Sequence, residues 1–239
     1  MQRDSSPSIA EVAKNIVLQH PSIIDCMKMD IINYSSLATL IKSEIENVIK
    51  TKKIRNEAIK VALIRFSQEI SGKWKLTEER ISWLLKNSTV ELKSDIVVVT
   101  VKQALLVDKL GELMKIASKS RFFQLTQGTR TFTISCDKKI IDEIIMEVGG
   151  EKNVEKIIDD QSAIIIVSPV EVIEIPGFVS YVTTQLAWNG INITQIISCH
   201  EDTILIVDRK DAQKAYNIIE DMIIKHRNRT TNITQEGLK

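Results

Sequence analysis

The stretch Glu174–Asp208, EIPGFVSYVTTQLAWNGINITQIISCHEDTILIVD, most constrains the fold, because it places four backbone instructions in a row. Pro176-Gly177 marks a turn: proline presets φ, and glycine permits backbone geometry that a side chain forbids. Phe178, Val182, Leu186 and Ala187 then fall on one face at helical spacing, flanked by Tyr181, Gln185 and Trp188, and predict a short amphipathic helix over 178–189. Asn189-Gly190 ends it, glycine being the usual residue just past a helix terminus. Two β-branched runs, Ile191–Ser198 and Thr203–Val207, joined by the polar tip Cys199-His200-Glu201-Asp202, predict a hairpin. Helical periodicity returns from Asp208 to Lys225.

The same order of elements occurs once before. Val90–Val101 reads as a strand, and Ala104–Ser118 as a helix burying Leu105, Leu106, Leu110, Leu113, Ile116 and Ala117. Arg121–Thr126, the turn Gln127-Gly128-Thr129-Arg130 and Thr131–Ser135 make a hairpin. A helix from Lys138 to Val148 stops at Gly149-Gly150, and Val154–Asp159 closes the set as a strand. Ser162–Ser168 opens the second copy, and Thr131–Ser135 aligns on Thr203–Val207 at an offset of 72 positions. The economical account is an α+β chain with two tandem ferredoxin-like βαββαβ modules, each with two helices on one sheet face and the other face open to a partner sheet or ligand.

The first 90 residues carry almost no strand signal. Ser8 with Glu11 has the spacing of a capping box ahead of the stripe Ile9, Val12, Ala13, Ile16 and Val17. A short helical piece spans Ser22–Met29. Asn33-Tyr34-Ser35 opens a helix with Leu37, Leu40, Ile41, Ile45, Val48 and Ile49 inward. Another runs from Arg55 to Ile70, and after Gly72 a last one covers Glu78–Lys86. The expected domains are 1–88 helical, 89–160 and 161–228 as the two modules, and 229–239 as a flexible tail. The net charge of +1 hides a local excess between Lys50 and Lys75, where eight cations face two carboxylates. The helices 35–49 and 55–70 have the look of a helix-turn-helix pair, which would set Arg55, Asn56 and Lys60 at base edges and Lys52 and Lys53 at the DNA backbone. A packing or dimerisation module whose lysines keep it soluble explains the same residues.

Ile175-Pro176-Gly177, Leu186 ahead of Asn189-Gly190-Ile191-Asn192-Ile193, and the strand ending at Asp208 resemble the ACT domain, a small βαββαβ module that binds amino acids and regulates metabolic enzymes or transcription. With Arg121-Phe122-Phe123-Gln124, Gln127-Gly128-Thr129, Ile164–Pro169 and Ile197-Ser198-Cys199, the chain resembles a largely archaeal prokaryotic group that pairs a helical N-terminal region with two aspartokinase-like ACT repeats. The kinase activity is not implied, since no glycine-rich phosphate loop precedes the repeats. The resemblance implies an amino-acid ligand lined by Glu174, Ile175, Pro176, Gly177 and Phe178 on one side. Asn189, Gly190, Ile191, Asn192 and Ile193 would come from a neighbouring element or a partner module. Turn amides at a helix N-terminus suit a carboxylate, and Asn192 and Glu174 are the candidate side-chain contacts. Turn shaping alone also accounts for Pro-Gly and Asn-Gly. The first repeat has Lys102-Gln103-Ala104-Leu105 at the matching turn, without Pro or Gly, and is expected to be structural or to supply the far wall.

Other function classes have less to stand on. The apolar runs fall far short of the ~20 residues of a membrane helix, and the N-terminus shows no secretory signal. Cys26, Cys136 and Cys199 form neither a disulfide framework nor a CxxC metal pair, which fits a reducing cytoplasm. No cofactor, metal or catalytic residue is indicated; Cys199-His200-Glu201-Asp202 lacks ligand spacing. RNA binding through Phe122 and Phe123 is disfavoured because adjacent strand residues face opposite sides. The expected function is a cytoplasmic, non-catalytic amino-acid sensor, dimeric through its ACT sheets, reporting through a helical domain that contacts a partner, DNA among the options. The alternative is an interaction subunit that confers amino-acid feedback on a biosynthetic enzyme.

Overall fold

The computed structural model describes residues 7–50 and 53–236, without the side chains of 73, 74 and 229–236. The chain divides into two compact units, Met1–Glu79 and Arg80–Lys239.

In the first unit, α1 (Ile9–Leu18) starts where Ser8 Oγ accepts from the Glu11 amide, and α2 (Pro21–Lys28) places its proline in the first turn, where no amide is needed. Asn33 caps α3 (Tyr34–Ile49) by accepting from the amides of Ser35 and Ser36, both at 3.1 Å. Val12, Ile16, Met27, Ile41, Ile45, Ile59 and Leu63 form the core. Tyr34 Oη donates to Ser67 Oγ at 2.6 Å, and Ser67 in turn donates to the Met27 carbonyl at 3.3 Å. The expected break at Gly72 is absent: α4 runs unbroken over Asn56–Lys86. One exposed glycine costs a helix about 1 kcal/mol, less than the unpaired amides and carbonyls that two new helix ends would create.

The second unit is built on two 14-residue strands, β1 (Thr89–Lys102) and β4 (Val154–Val167). The expected strands 154–159 and 162–168 are halves of β4. Asp160 at φ 56° kinks the chain, but pairing resumes at once with Gln161 opposite Asp208, so the strand bends and does not end. Asp95 at φ 62° bends β1 at the matching level, where its register on β4 shifts between Lys93 and Ile96.

With β2 (Phe123–Gln127), β3 (Thr131–Asp137), β5 (Ile193–Cys199) and β6 (Asp202–Asp208), the sheet order is β2-β3-β1-β4-β6-β5. Two four-stranded halves therefore share the long pair. In one, residues 96–102 of β1 lie between β3 and the start of β4. In the other, residues 89–93 form the outer strand beside the end of β4, completing β1-β4-β6-β5. The second half thus takes its fourth strand from sequence that precedes the first.

The helices α5 (Gln103–Leu106), α6 (Leu110–Ala117) and α7 (Ile141–Glu147) cover Val97, Val99, Val101, Phe132 and Ile134. The helices α8 (Phe178–Trp188) and α9 (Arg209–Glu236), with Ile81, Leu84 and Leu85 of α4, cover Ile164, Ile166, Leu205 and Val207. Alternation sends the intervening residues to the opposite face. There Ile96, Val98 and Phe122 of one half meet Ala163, Ile165, Ile204 and Ile206 of the other. The faces expected to stand open for a partner sheet are buried against each other inside one chain. Gln195 ties the curl by accepting from Ser135 Oγ at 2.5 Å and donating to Thr126 Oγ1 at 3.1 Å. Helix α9 continues to Glu236, into the stretch read as a tail.

Candidate functional site

After Val167 the chain crosses Pro169 and a 3-10 turn, Val170–Glu174, before entering α8. Ile175 and Phe178 are buried in the core and anchor the turn, which leaves Glu174, Pro176 and Gly177 at the surface. Gly177 adopts φ 91°, which a side chain would resist, and its carbonyl accepts from the Tyr181 amide at 2.8 Å. The N-terminus of α8 has no side-chain cap among the described residues. Such an end attracts a carboxylate.

The second candidate group terminates the same helix. The Ile191 amide donates to the Leu186 carbonyl at 3.0 Å and the Gly190 amide to that of Ala187 at 2.9 Å, with Gly190 at φ 73°. Asn189 is engaged as well: its Nδ2 donates to the Gln185 carbonyl at 2.9 Å, and its own carbonyl accepts Lys214 Nζ at 2.6 Å. Ile191 is buried, Ile193 half-buried and Asn192 exposed. The two groups stand at opposite ends of an 11-residue helix, roughly 16 Å apart at 1.5 Å per residue. Within one module they do not converge on one small ligand; joining them takes a second module.

Of the residues placed at DNA, Lys52 lies outside the described residues. Lys53 and Arg55 are exposed. Asn56 is half-buried and donates from Nδ2 to Thr39 Oγ1 at 3.0 Å. Lys60 is half-buried beside a shallow hollow with Asp30 and Tyr34. The chain from Lys50 to Arg55 separates α3 from α4, longer than the 3–4-residue turn of a helix-turn-helix.

Phe122 and Phe123 are both committed to packing, on opposite faces, as their adjacency requires. His200, at φ 52°, sits in the tight turn between β5 and β6. No group of three His, Cys, Asp or Glu among the described residues could hold a metal. No helix among them is long and apolar enough to cross a membrane.

Two polar assemblies escaped the sequence reading. His226 is buried, with Nδ1 2.8 Å from Ser82 Oγ and Nε2 3.3 Å from Tyr181 Oη. Its position one helical repeat beyond Ala215, Ile219 and Met222 was the available signal. The other lies where the long strands bend. Arg209 hydrogen-bonds to Asp95 and stands 3.7 Å from Asp160, and the bond to Asp95 raises its pKa. Lys138 pairs with Asp159 at 2.5 Å and holds that carboxyl below its ordinary range. Arg121 Nε donates to Asp137 Oδ2 at 3.1 Å beside a cavity of about 310 Å³. An acidic residue interrupting a β-branched run was the signal here, because Asp tolerates the left-handed region better than most residues.

Residues 156–221, from the start of β4 into α9, match the ACT domain. The matched segment holds the turn before α8, the helix itself and the β5–β6 hairpin. No curated protein sequence matches the chain. Among solved structures, aspartate kinase of Clostridium acetobutylicum is 20% identical over 57% of this chain and 34% of its own, with a TM-score of 0.46. The regulatory subunit of aspartate kinase from Thermus thermophilus is 16% identical over 56% of this chain and 97% of its own, at 0.42. E. coli aspartokinase III in complex with aspartate and ADP is 12% identical over 57% and 33%, at 0.47. The present chain thus spans about a third of the length of the two kinases.

Proposed function

We propose that this protein is a non-catalytic, amino-acid-sensing regulator, with the ACT domain as its sensing element and the N-terminal helices as its output. The observation that carries the reading is the ACT match over residues 156–221. The ligand would sit at interfaces between ACT-like modules, with Glu174–Phe178 from one and Asn189–Ile193 from another, because the two groups stand at opposite ends of α8. A homodimer can supply that second module. Since the sheet faces bury one another within the chain, such a dimer would form through helices or strand edges. Ligand binding would then act by linkage, shifting the population of module arrangements that the helices report.

A thermal-shift screen of the full chain against the twenty amino acids tests the reading. At least one should raise Tm in a concentration-dependent way, and the absence of any shift removes the hypothesis. For the output, the engagement of Asn56 with Thr39 favours a protein partner, as in feedback on a biosynthetic enzyme, over DNA. Fluorescence anisotropy on duplex DNA at low salt, with and without amino acids, separates the two: salt-dependent binding would restore the DNA-binding regulator.

A further inference from the structure

We propose that the cavity at the bend of β1 is a binding site for a free α-amino acid, separate from the two ends of α8. The proposal rests on the amino-acid-sensing reading above. Three features of the cavity point to this class of ligand.

The first is charge. Lys93 and Arg121 meet Asp95 and Asp137 in the lining, two cations against two carboxylates. A simple anion or cation would unbalance that set, whereas a zwitterion matches it. Asp137 is nearly inaccessible, its side chain 4% exposed; it accepts from the Lys139 amide and from Nε of Arg121, whose side chain is 70% exposed. The two Nη groups of Arg121 can therefore fork onto an α-carboxylate, the geometry in which a guanidinium binds best.

The second is main chain. β3 pairs with β1 only from Ile96 onward, with Asp137 opposite, and then leaves the sheet in the turn Lys138–Ile140. On the other side the β1–β4 register skips from Lys93 to Ile96. Ser94 and Asp95 are thus without a ladder partner on either side. An ammonium can be held by the Asp95 carboxylate together with a carbonyl of this unpaired stretch.

The third is size and floor. A volume of about 310 Å³ lies at the lower end of the range for small-molecule sites, and Phe122 and Ile96 provide an apolar base. An amino acid fits there; a folded partner does not.

The location gives the site a consequence. Asp95 also receives Arg209, which stands near Asp160 at the bend of β4. A ligand ammonium on Asp95 competes with Arg209 for one carboxylate and loosens the tie across the two bends. Binding thereby bears on the angle at which the halves of the sheet meet.

Isothermal titration of the full chain with each of the twenty amino acids identifies the ligand. Arg121→Gln and Lys93→Gln should each weaken it at least tenfold, while Lys115→Gln, which removes an exposed cation of α6 outside the cavity lining, leaves Kd within twofold. On wild-type protein, the carboxamide and the N-acetyl derivative of the ligand should each bind at least tenfold more weakly, a readout independent of whether any variant folds. Wild-type affinity in Arg121→Gln, or an equal loss in Lys115→Gln, overturns the cavity as the site and leaves amino-acid sensing standing. If no amino acid binds wild-type protein, the sensing reading itself fails.

Discussion

At the residue scale, the left-handed positions show how much the local sequence says. Gly190 has φ 73°, and a Cβ there would meet no atom within 4 Å. Gly190→Ala therefore pays only backbone strain, and denaturant unfolding should show a loss of about 1 kcal/mol with the m-value unchanged. Asn189-Gly190 was legible because capping is a local transaction among a few neighbouring residues. Cys136 on β3 is fully buried. Burial first, and the neighbouring Asp137 second, push its thiol from 9.0 up to about 12. The folded state keeps its proton to higher pH than the unfolded chain. Its contribution to stability is then complete below pH 9.0, declines as pH rises beyond it, and is gone above the folded value. Disulfide-exchange labelling at pH 8 should modify exposed Cys199 in the native protein and reach Cys136 only after unfolding. Rapid native labelling of Cys136 would contradict its placement in the core.

At the scale of elements, α4 separates propensity from context. Gly72 reads as a break, yet the helix passes through it. A Cβ at this position meets no atom within 4 Å. Gly72→Ala should therefore raise stability by up to about 1 kcal/mol, measured as a higher denaturant midpoint. A drop would mean that the helix is broken at this point. The far end of α4 is held by packing absent from its own sequence: Arg227 on α9 donates to the carbonyls of Lys86 at 3.0 Å and Ser88 at 2.6 Å. A cation on the last carbonyls of a helix complements its dipole. Helix α8 supplies the functional lesson at this scale. Both of its ends carried the residues expected at a ligand, but the helix between them holds the groups apart.

At the scale of the molecule, the shared strands make the two halves of the sheet one structure. Ile206 is fully buried in the layer where the halves meet. Ile206→Ala should cost about 2–5 kcal/mol, seen as a displaced denaturant midpoint. A cost near zero would mean that this face stands open to a partner. The sequence by itself determined most of the helices, the two hairpins, the turn chemistry at Pro176-Gly177 and Asn189-Gly190, and the β-branched runs that become strands. These are legible because periodicity and turn geometry depend on residues a few positions apart. Only the tertiary structure decided that β4 runs through Asp160, that residues 89–93 complete the second half of the sheet, and that the apolar faces close on each other. Strand pairing and face burial join residues far apart in the chain, so they are settled by what the whole chain can bury at once. The same holds for the cavity beside Arg121 and Asp137, which exists because β3 leaves β1 where β1 bends.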